Sequence, residues 1–207
     1  MSESLTLPGP ADESRRNWWI AISCGVGAVA GVGTAVPFVG AFLPSEGAKA
    51  AGAPVEIDIG DLKPGELRTV AWRGQPVWII RRTPEMVAAL AKDEPELADP
   101  QSKRNPDDFT PPYARNQQRS IKPEVLVVVG ICTHLGCSPN PRFEPGPQPN
   151  LPDDWPGGFL CPCHGSTFDL AGRVFKNKPA PDNLRVPPHL YLSETRLRIG
   201  EDAQNKA

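Results

Sequence analysis

The chain has 207 residues, enough for one domain of ordinary size and an appendage. Its 22 basic and 24 acidic residues leave a net charge of -2, so the sequence lacks the basic face that nucleic-acid binding requires. Its 26 prolines lie mostly after residue 83, which favours a loop-rich β domain over a helical one.

The N-terminal part of the chain divides into a polar tail and an apolar segment. Residues 1–17 are polar and end shortly after Arg15-Arg16, whereas residues 18–43 contain no charged residue. About 20 apolar residues suffice for a helix to cross a bilayer, and a helix satisfies its own backbone in lipid. We therefore expect a single transmembrane helix over residues 18–43, with the arginines and the tail on the cytoplasmic side. The arginine pair fits either a plain positive flank or a twin-arginine export signal.

The next segment, residues 44–54, has no large apolar side chain. Such a segment cannot bury itself, so it is expected to be a flexible tether or hinge between the anchor and a head that comprises residues 55–207. Composition leaves open whether the segment is a spacer or a working hinge.

Alternating apolar residues and turn residues predict a head made of short β-strands. Residues 55–59, 67–72 and 76–81 are expected to form an antiparallel meander, and residues 84–91 a short helix that begins with proline. Further strands are expected at residues 125–131, 158–160, 167–170, 173–176, 189–193 and 195–199.

Two proline-rich stretches of the head are expected to be surface loops. They comprise residues 93–123 and an insert at residues 139–156. The predicted class is therefore all-β with one membrane helix.

Four of the five cysteines and two of the three histidines fall in two six-residue windows. Residues 132–137 read Cys-Thr-His-Leu-Gly-Cys, and residues 161–166 read Cys-Pro-Cys-His-Gly-Ser. Four of these six side chains would fill a tetrahedral zinc site or a two-iron cluster, and two spare thiols would form a disulfide in an oxidising compartment. The third histidine, His189, is expected to be an ordinary strand or surface residue.

The two windows resemble the cluster-binding boxes of the Rieske iron-sulfur proteins, specifically of the bacterial membrane-anchored subunit of ubiquinol-cytochrome c reductase, the cytochrome bc1 complex. The resemblance extends over the anchor, the small-residue tether and the loop at residues 178–181. It implies an all-β Rieske head with antiparallel sheets and a small cluster-binding part at about residues 130–182 that holds one [2Fe-2S] cluster. The implied ligands are Cys132 and Cys161 on one iron and His134 and His164 on the other, with a disulfide between Cys137 and Cys163.

The resemblance also implies a function and a location. The head would oxidise ubiquinol at the outer, periplasmic face of the bacterial inner (cytoplasmic) membrane, release a proton and pass the electron to a c-type cytochrome. His164 would hydrogen-bond the quinol, and Leu135 and Pro179 would dock against the cytochrome b subunit of a dimeric, proton-translocating complex. The alternative is the Rieske subunit of another exported oxidoreductase such as arsenite oxidase. The disulfide cysteines and the anchor argue against a Rieske ferredoxin or oxygenase component.

Residues beside the boxes are expected to tune the cluster. Two imidazoles in place of two thiolates raise the potential of a two-iron cluster, to about -150 to +300 mV. High-potential relatives carry a serine and a tyrosine after the second box, and here these positions are Ser166 and Phe168. The missing hydroxyl predicts a lower potential than in those relatives. Gly136 of the first box is also expected to lie next to the cluster.

Overall fold

The computed structural model describes residues 13–104 and 109–203, so most of the predicted tail, residues 1–12, lies outside the described residues. The chain divides into two units, Met1–Lys49 and Ala50–Ala207. In the first, helix α1 runs from Glu13 to Ala41 and none of its residues is buried. By length and composition α1 could span a membrane, with a mean hydropathy of 1.8.

The bounds of α1 differ from the predicted span of residues 18–43. The helix begins earlier because Arg15 and Arg16 have good helix propensity, and Glu13 in the first turn interacts favourably with the helix dipole. At its other end, the amides of Phe42 and Leu43 donate to carbonyls three residues back, so the last turn tightens and the α-helix stops at Ala41.

The predicted tether contains a short helix, α2, at Glu46–Gly52. The hydroxyl of Ser45 accepts a hydrogen bond from the amide of Ala48 at 3.1 Å, as an N-terminal cap does. Alanine is the strongest helix former. The prediction of a flexible tether considered only the lack of large apolar side chains and not this local preference. A helix of seven residues is nevertheless marginal in water.

Within the described residues of the head, nine strands form three antiparallel three-stranded sheets. The base sheet has the order β1-β9-β8, the central sheet β2-β3-β4 and the third sheet β5-β6-β7. In chain order the strands are β1 Val55–Asp58, β2 Leu67–Trp72, β3 Gln75–Arg81, β4 Val125–Val129, β5 Asn140–Arg142, β6 Gly158–Leu160, β7 Thr167–Phe168, β8 His189–Tyr191 and β9 Arg196–Ile199. Helix α3 covers Pro84–Asp93.

Two of the strand predictions are wrong in their pairing or existence. The meander consists of β2, β3 and β4, because β1 pairs instead with the distant β9. Alternation identifies a strand but does not identify its partner. Residues 173–176, predicted as a strand, make two isolated bridges, Val174 with Phe168 and Phe175 with Leu97.

The central sheet is covered on both faces, which is why all five residues of β4 are buried. The odd-numbered side chains of β3 and β4, Val77, Ile79, Val127 and Val129, pack with β1 and β9 of the base sheet. The even-numbered side chains of the same two strands, Trp78, Ile80, Leu126 and Val128, pack with Cys132, Phe159, Cys161 and Phe168. Because side chains alternate across a strand, one sheet supports both the base of the head and the cysteine loops.

Neither proline-rich stretch is only a surface loop. In residues 93–123, Leu97, Ala114 and Arg119 are buried. In the insert, Trp155 is 2% exposed and its indole N–H donates to the carbonyl of Arg142 at 2.9 Å. The prolines prevent long strands without preventing burial.

Buried arginines replace strand pairing in the irregular segments of the head. Arg82 donates to the carbonyl of Leu170, and Arg119 to those of Ala171 and Leu184. Arg173 forms an ion pair with Asp169 at 2.7 Å, and both side chains are fully buried.

Asp93, at the end of α3, gives the head a pH-dependent stability. The carboxylate is buried, and its Oδ2 atom has no hydrogen-bond partner in the described part of the chain. Burial raises its pKa to about 6, and the nearby Asp169 acts in the same direction, whereas Arg173 and Lys92 oppose it. The unfolded chain therefore ionises first, and stability falls as pH rises from about 4 to about 6.

We predict that Asp93→Asn removes this loss and raises the free energy of unfolding at pH 8 by about 2 kcal/mol, with little effect at pH 4. Urea titrations of the detergent-solubilised protein at both pH values measure this. Glu96→Gln, which changes an exposed carboxylate three residues along the chain, is the control and should change neither value. A destabilised Asp93→Asn variant at pH 8 would contradict the prediction.

Candidate metal centre

The two cysteine-histidine windows fold into loops with the same backbone hydrogen bonds. In the first loop, the amide of Cys132 donates to the carbonyl of Cys137 at 2.7 Å, and the amide of Gly136 donates back to Cys132 at 3.1 Å. In the second loop the equivalent bonds are Cys161 to Ser166 at 2.8 Å and Gly165 to Cys161 at 3.0 Å. The similar spacing of the two sequence windows therefore reflects one loop conformation used twice.

Each loop requires a glycine at its fifth position. Gly136 has φ +82° and Gly165 has φ +72°, in the left-handed region that residues with a Cβ rarely adopt. Apart from the glycine and its two chain neighbours, no heavy atom of the described residues lies within 4 Å of a Cβ built at either position. The requirement is therefore for the backbone angle and not for space.

Strands of two different sheets deliver the loops to one place. The first loop follows β4 of the central sheet, and the second follows β6 of the third sheet. Trp78 of β3 stacks on Phe159 of β6 with ring centroids 5.2 Å apart, which packs these two sheets together beneath the loops.

The predicted disulfide between Cys137 and Cys163 is confirmed. It joins the two loops with a Cα–Cα distance of 6.7 Å. The Sγ atom of Cys161 lies within 4.8 Å of both disulfide sulfurs. Those two sulfurs are not thiolates, so of these three cysteines only Cys161 offers a metal ligand.

The four predicted ligands divide into a buried pair and an outer pair. Cys132 and Cys161 are reduced thiols, each 2% exposed. His134 is half-buried and His164 exposed, with ring centroids 4.8 Å apart and ring planes at 88°. Two inner sulfurs and two outer imidazoles match the mixed donor set of a Rieske-type cluster. The assignment of individual ligands stays a prediction.

The environment of Cys132 fits a site that takes up positive charge. Burial raises the pKa of its thiol, whereas the backbone N–H of His134 and, more weakly, the hydroxyl of Ser166 lower it. The neighbouring Cys161 raises it further. The buried thiol of Cys132 therefore resists ionisation, and bound metal is what would stabilise it as a thiolate.

The residues expected to tune the site occupy different environments. Ser166 is buried, and its hydroxyl oxygen accepts a hydrogen bond from the amide of Ala180 at 3.0 Å, which leaves its proton for the sulfur of Cys132. Phe168 is fully buried in the core cluster that contains Cys132 and Cys161. It brings a ring to this cluster but no hydroxyl.

The expected docking residues lie on the surface around these loops. Leu135 is 70% exposed, and Pro179 is also exposed. His164 is exposed as well, between Cys163 and Gly165 of the second loop. The loops therefore present one imidazole and apolar side chains to solvent.

His189 lies outside this constellation but is not a surface residue. It is 2% exposed on β8, and its Nδ1 atom is 2.8 Å from the carbonyl oxygen of Pro187. Burial lowers its pKa to about 4, so the imidazole is neutral at physiological pH. The expectation of an ordinary strand residue is confirmed.

Sequence reasoning missed the polar contacts that attach the loop at residues 178–182 to the cysteine loops. The hydroxyl of Thr133 donates to the carbonyl of Asp182 at 2.6 Å, from the position between Cys132 and His134. In the second loop, Ser166 was expected to tune the cluster, but its hydrogen bond with the amide of Ala180 was not predicted. The signal available in the sequence was the hydroxyl residue in each window, Thr133 in the first and Ser166 in the second.

Comparison with known proteins identifies the fold and the cofactor. A model of the Rieske [2Fe-2S] domain matches residues 113–188. The ubiquinol-cytochrome c reductase iron-sulfur subunit of Allochromatium vinosum is 56% identical over 193 residues, which cover 92% of this chain and 90% of that protein. The subunit of the same name from Blastochloris viridis is 41% identical over 191 residues, covering 92% and 94%.

Among solved structures, a chain of a hyperthermophilic respiratory Complex III aligns with 86% of this chain and 98% of its own length, at a TM-score of 0.45 and 28% identity. The sequence matches decide between the two kinds of metal site that the cysteines and histidines left open, in favour of the [2Fe-2S] cluster over zinc. The chain thus belongs to the Rieske family, among the iron-sulfur subunits of ubiquinol-cytochrome c reductase.

Proposed function

We propose that this chain takes one electron at a time from ubiquinol at the outer face of the bacterial inner membrane and passes it to a c-type cytochrome, with release of a proton. The observation that carries the proposal is the exposed imidazole of His164, which lies beside the ring of His134 in the loop that begins at the buried thiol of Cys161. The identity to ubiquinol-cytochrome c reductase subunits favours this function over that of an arsenite oxidase subunit.

The four proposed ligands are Cys132, Cys161, His134 and His164. The cluster they hold supplies a one-electron acceptor of raised potential. The disulfide between Cys137 and Cys163 ties the two loops together, so the spacing of the ligands does not depend on the metal alone.

His164 has a second task at the surface. An imidazole that binds metal through one nitrogen keeps the other for an outside partner. In His164 that nitrogen would accept a hydrogen bond from a quinol hydroxyl and take its proton. Leu135 and Pro179 would lie against the cytochrome b subunit and exclude water around the bound quinol.

The N-terminal helix sets the location that we propose. With Arg15 and Arg16 at its cytoplasmic end, α1 would cross the inner membrane once and leave the head in the periplasm. Partners in the membrane would be the cytochrome b and c-type cytochrome subunits of a dimeric, proton-translocating complex. Helix α2 would then act as the hinge.

Purification of the tagged chain from membranes tests this function. We expect b-type and c-type haem to copurify and the preparation to reduce cytochrome c with ubiquinol. Cys161→Ser should retain both haems but lose this activity together with the visible spectrum of the cluster. Arsenite-dependent cytochrome reduction without b-type haem would overturn the proposal.

The position of Phe168 generates a prediction about reduction potential. Phe168→Tyr places a hydroxyl in the core cluster that contains both inner cysteines. A hydrogen bond worth about 1 kcal/mol to the reduced form raises a one-electron potential by roughly 40 mV. Redox titration followed by circular dichroism measures the shift. Phe143→Tyr adds the same hydroxyl to a partly buried ring packed against that hydrophobic core, and it should leave the reduction potential unchanged. A Phe168→Tyr variant with the wild-type reduction potential would refute the prediction.

Helix α2 generates a prediction about turnover. Gly47 lies inside α2, and a Cβ there would meet only Ser45 Oγ, at 3.8 Å, among the described residues. Gly47→Ala favours the helix by about 1 kcal/mol. If α2 unwinds during each cycle, steady-state turnover should fall up to about fivefold, with the cluster spectrum intact. Gly40→Ala in α1 is the matched control, and unchanged turnover in Gly47→Ala would make residues 44–54 a spacer.

A further inference from the structure

The loop at residues 178–182, which carries the exposed Pro179, has no sheet of its own to support it. It lies outside every strand of the described chain, so its position depends on individual hydrogen bonds. Two of these bonds come from the cysteine loops, through the hydroxyls of Thr133 and Ser166. Thr133 attaches the loop at the carbonyl of Asp182, and Ser166 attaches it at the amide of Ala180.

The other side of the loop is attached to a turn at residues 99–104. Both carboxylate oxygens of Asp99 are used within this turn, one accepting from the amide of Lys103 and the other from the amide of Arg104, each at 2.9 Å. Ser102 has φ +51°, an angle that is uncommon for a residue with a Cβ. Asp99 and Ser102 are buried, so this turn is a built element of the head.

Asn183 connects the turn to the loop from inside. Its side chain is 3% exposed, and its amide group donates to the carbonyl of Asp99 at 2.9 Å and to the hydroxyl of Ser102 at 3.0 Å. Its carbonyl oxygen accepts from the amide of Val174 at 2.9 Å. A single buried side chain thus fixes where the loop ends.

Arg104 connects the turn to the loop from outside. Its guanidinium donates to the carbonyl of Pro181 at 3.0 Å, two residues after Pro179. The backbone of Arg104 is itself fixed by Asp99, so the guanidinium reaches out from a rigid base. Proline has no backbone N–H, which makes its carbonyl the hydrogen-bonding group that the main chain offers at position 181.

We propose that Arg104 is a positioning residue for quinol oxidation: with Asn183, it holds Pro179 at the height relative to His164 and Leu135 that docking requires. This role rests on the proposed function of the site. It assigns to the turn at residues 99–104 a part in docking although the turn contributes no ligand and lies outside both cysteine windows.

The variants separate the hydrogen bond of Arg104 from its charge. Arg104→Met removes both, Arg104→Lys restores a donor and the charge, and Arg104→Gln restores a donor alone. Lys103→Met is the matched control, because it removes an equal charge from the exposed neighbouring position. Asn183 is left unchanged, since a variant of this buried hub can fail to fold.

Two measurements on the assembled complex test the proposal. Hydrogen exchange by mass spectrometry should be about fivefold faster across residues 178–182 in Arg104→Met than in the wild type, and unchanged in the peptides that contain the cysteine loops. The KM for ubiquinol should rise by a similar factor, while the midpoint potential stays the same and kcat at saturating quinol changes little. Arg104→Lys and Arg104→Gln should both recover toward wild type.

Three results would overturn the proposal. They are unchanged exchange across residues 178–182 in Arg104→Met, an equal rise in KM in Lys103→Met, or recovery by Arg104→Lys without recovery by Arg104→Gln. The last two would mean that charge near the partner, and not loop position, is what matters. Exchange does not depend on quinol chemistry, so a wild-type complex inactive with ubiquinol would refute the proposed function while leaving the attachment of the loop by Arg104 measurable.

Discussion

The head depends on one constraint: two loops that follow strands of different sheets, each with a buried cysteine and an outer histidine, must lie side by side. Cys132 follows a strand of the central sheet and Cys161 a strand of the third. No single strand pairing could bring both loops together, so side-chain packing and a covalent bond do it. Trp78 stacks on Phe159 below the loops, and the Cys137–Cys163 disulfide closes them above. This fixed spacing would limit the rearrangement of the proposed ligands when the charge of a bound metal changes.

The use of one loop conformation twice explains why the sequence was informative about the site. A loop that needs a left-handed residue at its fifth position leaves a glycine there, as Gly136 and Gly165 show. Cysteine and histidine are uncommon, so their concentration in two windows predicted a metal site, and the resemblance supplied the disulfide. Thr133 escaped notice because a hydroxyl is common and the carbonyl that it contacts, that of Asp182, lies far away in sequence.

The sequence was equally informative about where strands occur, and much less informative about which strands pair with each other. The run of β-branched residues at β4 predicted a buried strand because both of its faces are covered. The pairing of β1 with β9 is a contact between opposite ends of the head, and no local pattern encodes it. Proline and polar residues at 93–123 suggested solvent exposure. The burial of Arg119 could not be predicted from them, because it becomes favourable only through carbonyls contributed by distant segments.

These buried arginines show how a head with few strands still satisfies its backbone. Residues 169–173 form a turn whose carbonyls would be costly to bury unpaired. Arg82 and Arg119 donate to three of them, those of Leu170, Ala171 and Gly172. Burial lowers the pKa of each guanidinium to about 10, so both remain charged at neutral pH. The terminal N–H groups of these guanidiniums thereby satisfy the carbonyls of irregular chain as a neighbouring strand satisfies those of a regular one, at the cost of desolvating a cation. The same solution recurs at the surface, where Arg104 donates to the loop that carries Pro179.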